Sequence, residues 1–439
     1  MSLQASLTRR ELLELLKASA LAAPLAWLPA CSSERTSRSS PASPQSDEQI
    51  LDEIERCAFQ FFWNEAGPAT GQVKDRALAN GNDTRTVSSI AATGFGLTAL
   101  CIGDARGYGS SAGIKERVRV TLRYVAAELP NQHGYFYHFV DMNSGARVWN
   151  CEPSSIDTAL LLCGVLTARR HFADAEIQGL ATTIYERVDW PWMLNRGATL
   201  SMGWKPETGF LEARWSHYSE LMMIYLLAIG SPTHPIPAQS WETWSRPPIT
   251  YQGIEYISGS DPLFTHQYSH AWFDFRNQRD AHADYFQNSV KATRAHKLFC
   301  LSLHDRFPDY TEDLWGISAS DYPGGYTAWG GPPAQGPIDG TVVPCAPGGS
   351  LPFLFDDCMR VLRNMRMNYT KAWKRYGLVD AFNPLTGWYD PDVIGIDLGI
   401  TMLMVENHRT GLVWNTFMKN PEAQAAMKKV GFRQYQLSG

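Results

Sequence analysis

The sequence predicts an all-α fold, an (α/α)6 barrel with short β-hairpins and long loops at its mouth. Three observations carry this prediction. Helical patterns follow one another from residue 47 onward, while strand signals are too few for an alternating strand–helix sheet. Four of the helical segments are apolar almost all round: "IAATGFGLTALCIG" (90–103), "IDTALLLCGVL" (156–166), "ELMMIYLLAIG" (220–230) and "IDLGITMLMV" (396–405). Such helices must be buried on every side. Segments such as 112–128 and 357–375 keep a charged face instead, and buried and half-exposed helices in alternation make two concentric rings.

The first 31 residues read as an export signal. Thr8-Arg9-Arg10 with Leu12-Leu13 resembles a twin-arginine signal, and Leu28-Pro29-Ala30-Cys31 resembles a lipobox whose cysteine would carry a lipid. The apolar stretch is too short for a membrane span, so membrane contact is expected only through that lipid. The expected location is the periplasm or the outer membrane of a bacterium. Residues 32–46, Ser/Pro-rich and without apolar anchors, read as a flexible tether. Residues 47–439 are expected to form one barrel domain. Its predicted helices are 47–66, 87–107, 111–128, 154–172, 174–188, 216–230, 280–304, 351–375, 396–410 and 421–430, with short pieces at 237–245 and 267–276. Hairpins are predicted at 134–149, turning at Asn143-Ser144-Gly145, and at 202–213.

Composition narrows the function. The 439 residues are 44% hydrophobic and 19% charged with a formal net charge of −5, and no basic run tracks a phosphate backbone, so nucleic acid is excluded as a partner. Of eight cysteines, the seven beyond Cys31 form no CxxC pair, which signals neither a disulfide framework nor a zinc site. Fifteen Trp and eighteen Tyr exceed what core packing asks for, and amphipathic rings are what sugar faces stack on.

In a barrel whose outer helices return the chain to one end, the inner helices run parallel and their N-termini share one mouth. Asp157, Glu220 and Asp397 each stand in the opening turn of an apolar helix, and Glu152 precedes the first of these. Helix capping and the helix dipole account for any one of them alone. Acids that converge on one mouth also equip a site for glycoside hydrolysis, in which one protonates the leaving oxygen and another activates water or attacks the anomeric carbon. Aromatic and polar residues expected to bind sugar are Trp149, Trp215, His217, Tyr218, Trp272 and Arg276, together with Asp397. The Gly/Pro-rich stretch 313–350 adds Tyr326 and Trp329, and reads as a loop over the mouth. "GFGLTA" (94–99) mimics a dinucleotide fingerprint, but no strand precedes it; "FDDCMR" (355–360) lacks the second half of a terpene-cyclase motif. Glu406, at a helix C-terminus, is expected to pair with His408 or Arg409 as a structural tie.

The motifs "SSIDTALLLCG", "HYSELMMIYLLAIGSPTHPI", "QYSHAWFDFR" and "ENHRTGLVWNTFMKNPE" resemble the glucoamylase-like domain family that includes family 144 glycoside hydrolases. The resemblance runs from about residue 47 to 435. It implies an (α/α)6 barrel, internal cleavage of β-1,2-glucan with inversion, and no metal or other cofactor. Residue by residue it points to Asp157 in SSIDT and Glu220 in YSEL, with Glu152 as a third candidate. The expected partner is a glucan polysaccharide or oligosaccharide, and a monomer is expected. Three alternatives stay open: a hydrolase of another β-glucan, a polysaccharide lyase using Arg214, His217 and Tyr218, and a non-catalytic glycan-binding lipoprotein.

Overall fold

Seven of the fourteen described α-helices open on a capping side chain. The computed structural model describes residues 45–259, 262–333 and 336–435, so the expected signal and nearly all of the tether lie outside the described residues. Ser46 opens α1 (Asp47–Asn64) with a full capping box shared with Gln49. Ser89, Ser110 and Ser154 cap α2 (Ile90–Arg106), α3 (Ser111–Ala127) and α4 (Ser155–His171), each side chain accepting a backbone N–H of the first turn. Asp174, Asp189 and Asp284 do the same for α5 (Ala175–Glu186), α6 (Trp190–Leu194) and α9 (Tyr285–Ser302), which flank α7 (Met222–Gly230) and α8 (Tyr268–Trp272). The remaining helices are α10 (Cys345–Gly348), α11 (Phe355–Asn368), α12 (Gly395–Arg409), α13 (Leu412–Phe417) and α14 (Pro421–Lys429).

These helices sort into the two rings that the sequence predicts. α2, α4, α7, α8, α10 and α12 are buried on nearly every face, and α1, α3, α5, α9 and α11 return the chain outside them. α2 packs between α4 and α12. The glycine of the false dinucleotide motif explains part of this packing: a Cβ on Gly94 would lie 2.3 Å from Leu160 O, and one on Gly164 would lie 2.0 Å from Gly94 O. Two inner helices touch backbone to backbone there. No described helix is long and apolar enough to cross a membrane.

Strands are short and cluster at the starts of inner helices. Arg76–Leu78 pairs antiparallel with Asp392–Ile394, just before α12, and Val87–Ser89, just before α2, pairs with Phe139–Asp141. The turn predicted at 143–145 forms, closed by Gly145 N–H on Asp141 O at 2.8 Å, but Phe139–Asp141 spends its main pairing on Val87–Ser89. The second predicted hairpin pairs Trp204–Lys205 with Gly209–Phe210. Within the Gly/Pro-rich stretch, Ala319–Tyr322 and Gly325–Ala328 form a hairpin that the sequence did not signal.

The far ends of the inner helices carry an ion network. Glu406 accepts Arg106 Nε at 2.7 Å and also meets Thr410, whereas Arg409 reaches Glu48 and Glu55. Glu406 is therefore a tie between α12 and α2, not the local pair with His408 or Arg409 that was expected. All seven described cysteines are free thiols, Cys345 and Cys358 among them.

Candidate active site

Five of the six inner helices contribute their opening residues to a single cavity of about 1190 Å³: Ser89 and Ala91 for α2, Asp157 for α4, Ser219 and Glu220 for α7, Thr265 and Tyr268 for α8, Ile394 and Ile396 for α12. This is the shared mouth deduced from parallel inner helices.

On the α4 side the cap and the carboxylate are one unit. Ser154 Oγ accepts Asp157 N–H at 3.3 Å and donates to Asp157 Oδ2 at 2.5 Å, so the residue that starts the helix also aims its acid. Asp157 is 2% exposed. Its Oδ1 lies 3.5 Å from His138 Nε2, and His138 Nδ1 lies 3.5 Å from Glu152 Oε1. Glu152 does not line the cavity; it sits behind it, its Cγ where a Cβ on Gly203 would meet it at 2.6 Å. Trp215 Nε1 donates to Ser155 Oγ at 2.8 Å, and Ser155 Oγ donates to Ser201 O at 2.8 Å. The indole thereby joins α4 to the segment that carries Glu220. Ser269 fixes the next joint, donating to Glu220 O at 2.8 Å and accepting Met223 N–H at 3.1 Å.

A second wall holds groups that sequence reasoning missed. Arg76 Nη1 donates to both carboxylate oxygens of Asp321, and its Nε donates to Asp75. Arg85 clamps Asp392 through two nitrogens, at 2.6 and 2.7 Å, and is itself held by Asp83. Asp390 also lines the cavity. Burial, then the charges of Asp321 and Asp392, push its carboxyl up to about 8, so it keeps a proton at neutral pH. Asp321 is raised too, by burial first, with Arg76 opposing. Behind it Asp380 Oδ2 accepts Asp321 N–H at 2.8 Å, and burial holds the Asp380 carboxyl well above its usual range. Among the described residues, Asp321, Asp380 and Asp390 also form the one grouping whose carboxylate oxygens, all within 4.8 Å of one another, have the spacing to ligate a metal ion.

Aromatic rings complete the walls. Tyr322, Tyr326 and Trp329 come from the hairpin strand pair and its flank, Trp388 from the segment before α12, and Trp149 from the rim. Trp329 Nε1 donates to Ser320 Oγ at 2.8 Å. Trp149 is 52% exposed and, like Asn150, left-handed, with φ of 56° and 51°. Non-glycine residues adopt that region reluctantly, and here it projects an indole over the rim.

The predicted site residues therefore divide. Asp157, Glu220, Trp149, Trp215, His217, Tyr326 and Trp329 line the cavity. Tyr218 does not: fully buried, it faces His266 and stacks on Tyr285. Trp272 donates to Thr98 Oγ1 in α2 at 3.0 Å and fills the core between inner helices. Arg276 follows the far end of α8, pairs with Asp274 and stacks on Trp414, away from the mouth. Asp397 lies behind the floor, in a small pocket with Asp380 and Cys345, where burial lifts its carboxyl to about 6. Asp390 and Asp392 were open to the rule that found Glu152, since "YDPDVIGID" also sets acids before an inner helix; Arg76 and Arg85 carried no local signal.

The Glycoamylase family model, a glucoamylase description, matches residues 212–421. The endo-β-1,2-glucanase of Chitinophaga pinensis, solved with sophorotriose and glucose, superposes with a TM-score of 0.84 at 28% identity, covering 89% of this chain and 99% of that one. Over residues 212–421 the chain is similar to the glucoamylase-like family. An exo-β-1,2-glucooligosaccharide sophorohydrolase of Parabacteroides distasonis is 28% identical over 428 residues, 88% of this chain. The chain spans 58% of that relative's length. The endo-β-1,2-glucanase of Talaromyces funiculosus, at 15% identity and a TM-score of 0.59, shares the barrel fold.

Proposed function

We propose that this protein is an exported glycoside hydrolase that cleaves β-1,2-glucan internally and with inversion. One observation carries the reading: the first turn of α4 and the residues just before α7 bring Asp157 and Glu220 into one aromatic-walled cavity. At about 1190 Å³ it exceeds the roughly 300–1,000 Å³ that sites for drug-sized ligands occupy, as an oligosaccharide requires. Glucan relatives on the same barrel support the linkage. Asp157 and Glu220 are the proposed carboxylate couple. Asp390, which retains its proton to about 8, is the cavity carboxyl best suited to protonating a leaving oxygen. Residues 1–31 are the proposed export signal, with lipid on Cys31.

The test incubates the protein and its Asp157→Asn variant with linear β-1,2-glucan, with β-1,3-, β-1,4- and mixed-linkage glucans, and with a uronate polymer. A falling ladder of β-1,2-oligosaccharides from the wild type alone supports internal cleavage. Sophorose as the sole early product moves the protein to the exo mode named for the Parabacteroides relative. Unsaturated, ultraviolet-absorbing ends mean a lyase, and no cleavage of any polymer removes the enzyme reading.

A further inference from the structure

His138 stands between two buried carboxylates. Its side chain is 12% exposed, that of Glu152 7% and that of Asp157 3%, and each ring nitrogen is 3.5 Å from one of them. The backbone holds the ring in place. His138 N–H donates to Glu152 O at 3.0 Å, and its carbonyl accepts Ile90 N–H at 3.2 Å, which ties it to the start of α2. The Phe139 ring lies against the imidazole at 3.8 Å between centroids, and Ser154 fixes Asp157 from its other side. The other titratable groups nearby cannot take its place. The Cys151 thiol accepts Phe139 N–H and is pushed up to about 11 by burial, with Glu152 and Asp157 adding to the rise. Arg147 is engaged with Glu207 and Cys151 O.

A neutral imidazole has one N–H and one lone pair, so one of the two carboxylates would face a lone pair. An imidazolium presents an N–H to each of them. We propose that His138 is a positioning residue: as an imidazolium it couples Glu152, sealed behind the cavity, to Asp157 at its surface, and keeps the Asp157 carboxyl aimed at the substrate. Its catalytic consequence rests on the hydrolase reading; the charge relation among the three side chains does not.

Two measurements on the full chain separate those levels. In His138→Gln, kcat on β-1,2-glucan should fall about tenfold or more while KM changes less. A folded variant with the wild-type kcat, or one whose loss lies in KM alone, overturns the proposal. The second measurement needs no activity. The NMR titration midpoint of the His138 ring should drop in both Glu152→Gln and Asp157→Asn, and a midpoint unmoved in either variant overturns the coupling. It decides the matter if His138→Gln does not fold. A wild type that cleaves no glucan while both midpoints drop removes the hydrolase reading and leaves the coupled triad standing.

Discussion

Arg76 Nη1 donates to both carboxylate oxygens of Asp321, at 2.8 and 2.6 Å, across 245 positions of sequence. The pair joins the strand that hydrogen-bonds to the start of α12 to the hairpin that carries Tyr322 and Tyr326. The Arg76 guanidinium also lies 6.0 Å from the Tyr326 ring centre. One side chain thus fixes an aromatic wall of the cavity to the barrel.

Arg76→Gln should therefore loosen the wall without dismantling the fold. Asp321 can take up a proton once its partner is gone, which limits the cost of the stranded carboxyl. The expected result is a KM for β-1,2-glucan raised about tenfold, or ~1.4 kcal/mol, with kcat changed less. Hydrogen exchange should speed up in residues 319–328. A larger drop in kcat than rise in KM would mean that Arg76 acts on the reaction and not on the wall.

The raised Asp390 carboxyl links activity to stability. Its folded value of about 8 exceeds the ordinary 3.8, so between these pH values the folded state holds a proton that the unfolded state releases. Stability must then fall as pH rises through that window and level off outside it. Asp390→Asn cannot ionise, so at pH 8.5 it should unfold at higher urea than the wild type, by at least about 1.4 kcal/mol, the worth of one pKa unit. At pH 4 the two should match more closely. Hydrolysis should fall about 10²–10⁴-fold if the group protonates the leaving oxygen. Stabilisation with full activity would leave proton donation to Glu220 or Asp157.

The parts of the site legible in the sequence are those that local pattern encodes. Asp157 was visible because a cap, an acid and an apolar run are contiguous, and Glu220 because an apolar helix follows it. The second wall was not visible, since Arg76 with Asp321 and Arg85 with Asp392 meet across 245 and 307 positions. Position along a helix also misled. Trp272 and Arg276 belong to a motif at an inner helix, but α8 ends at Trp272, so they fall at its far end. Asp397 stands in the first turn of α12 yet points behind the floor, while Ile394 and Ile396 face the cavity. One residue along a helix turns the side chain by about 100°, so Asp397 leaves the face that Ile396 presents, and a first-turn acid need not face the mouth.

Trp215 offers a test of how the two acid-bearing segments are held together. Its indole N–H on Ser155 Oγ is the polar link between the start of α4 and the chain leading to Glu220. Trp215→Phe keeps a ring in the wall but leaves that hydroxyl without its donor. Losing a buried hydrogen bond of this kind costs about 0.5–1.5 kcal/mol of stability, read as a lower urea midpoint. Loss of kcat beyond about tenfold would show that the link also sets the geometry of Asp157 and Glu220.

Two glycine substitutions separate packing from helix propensity. Gly94 sits in α2 where a Cβ would lie 2.3 Å from Leu160 O of α4, a backbone atom that cannot swing away. Gly94→Ala must push two inner helices apart, and overpacking of this type costs about 1–3 kcal/mol. Gly179 sits inside α5 with nothing within 4 Å of its would-be Cβ. There alanine adds no clash and removes unfolded-state freedom, for a gain of about 0.4–1 kcal/mol. Urea unfolding of the two single variants should give shifts of opposite sign. If Gly94→Ala matched Gly179→Ala, the close contact of α2 and α4 would not be what holds the inner ring together.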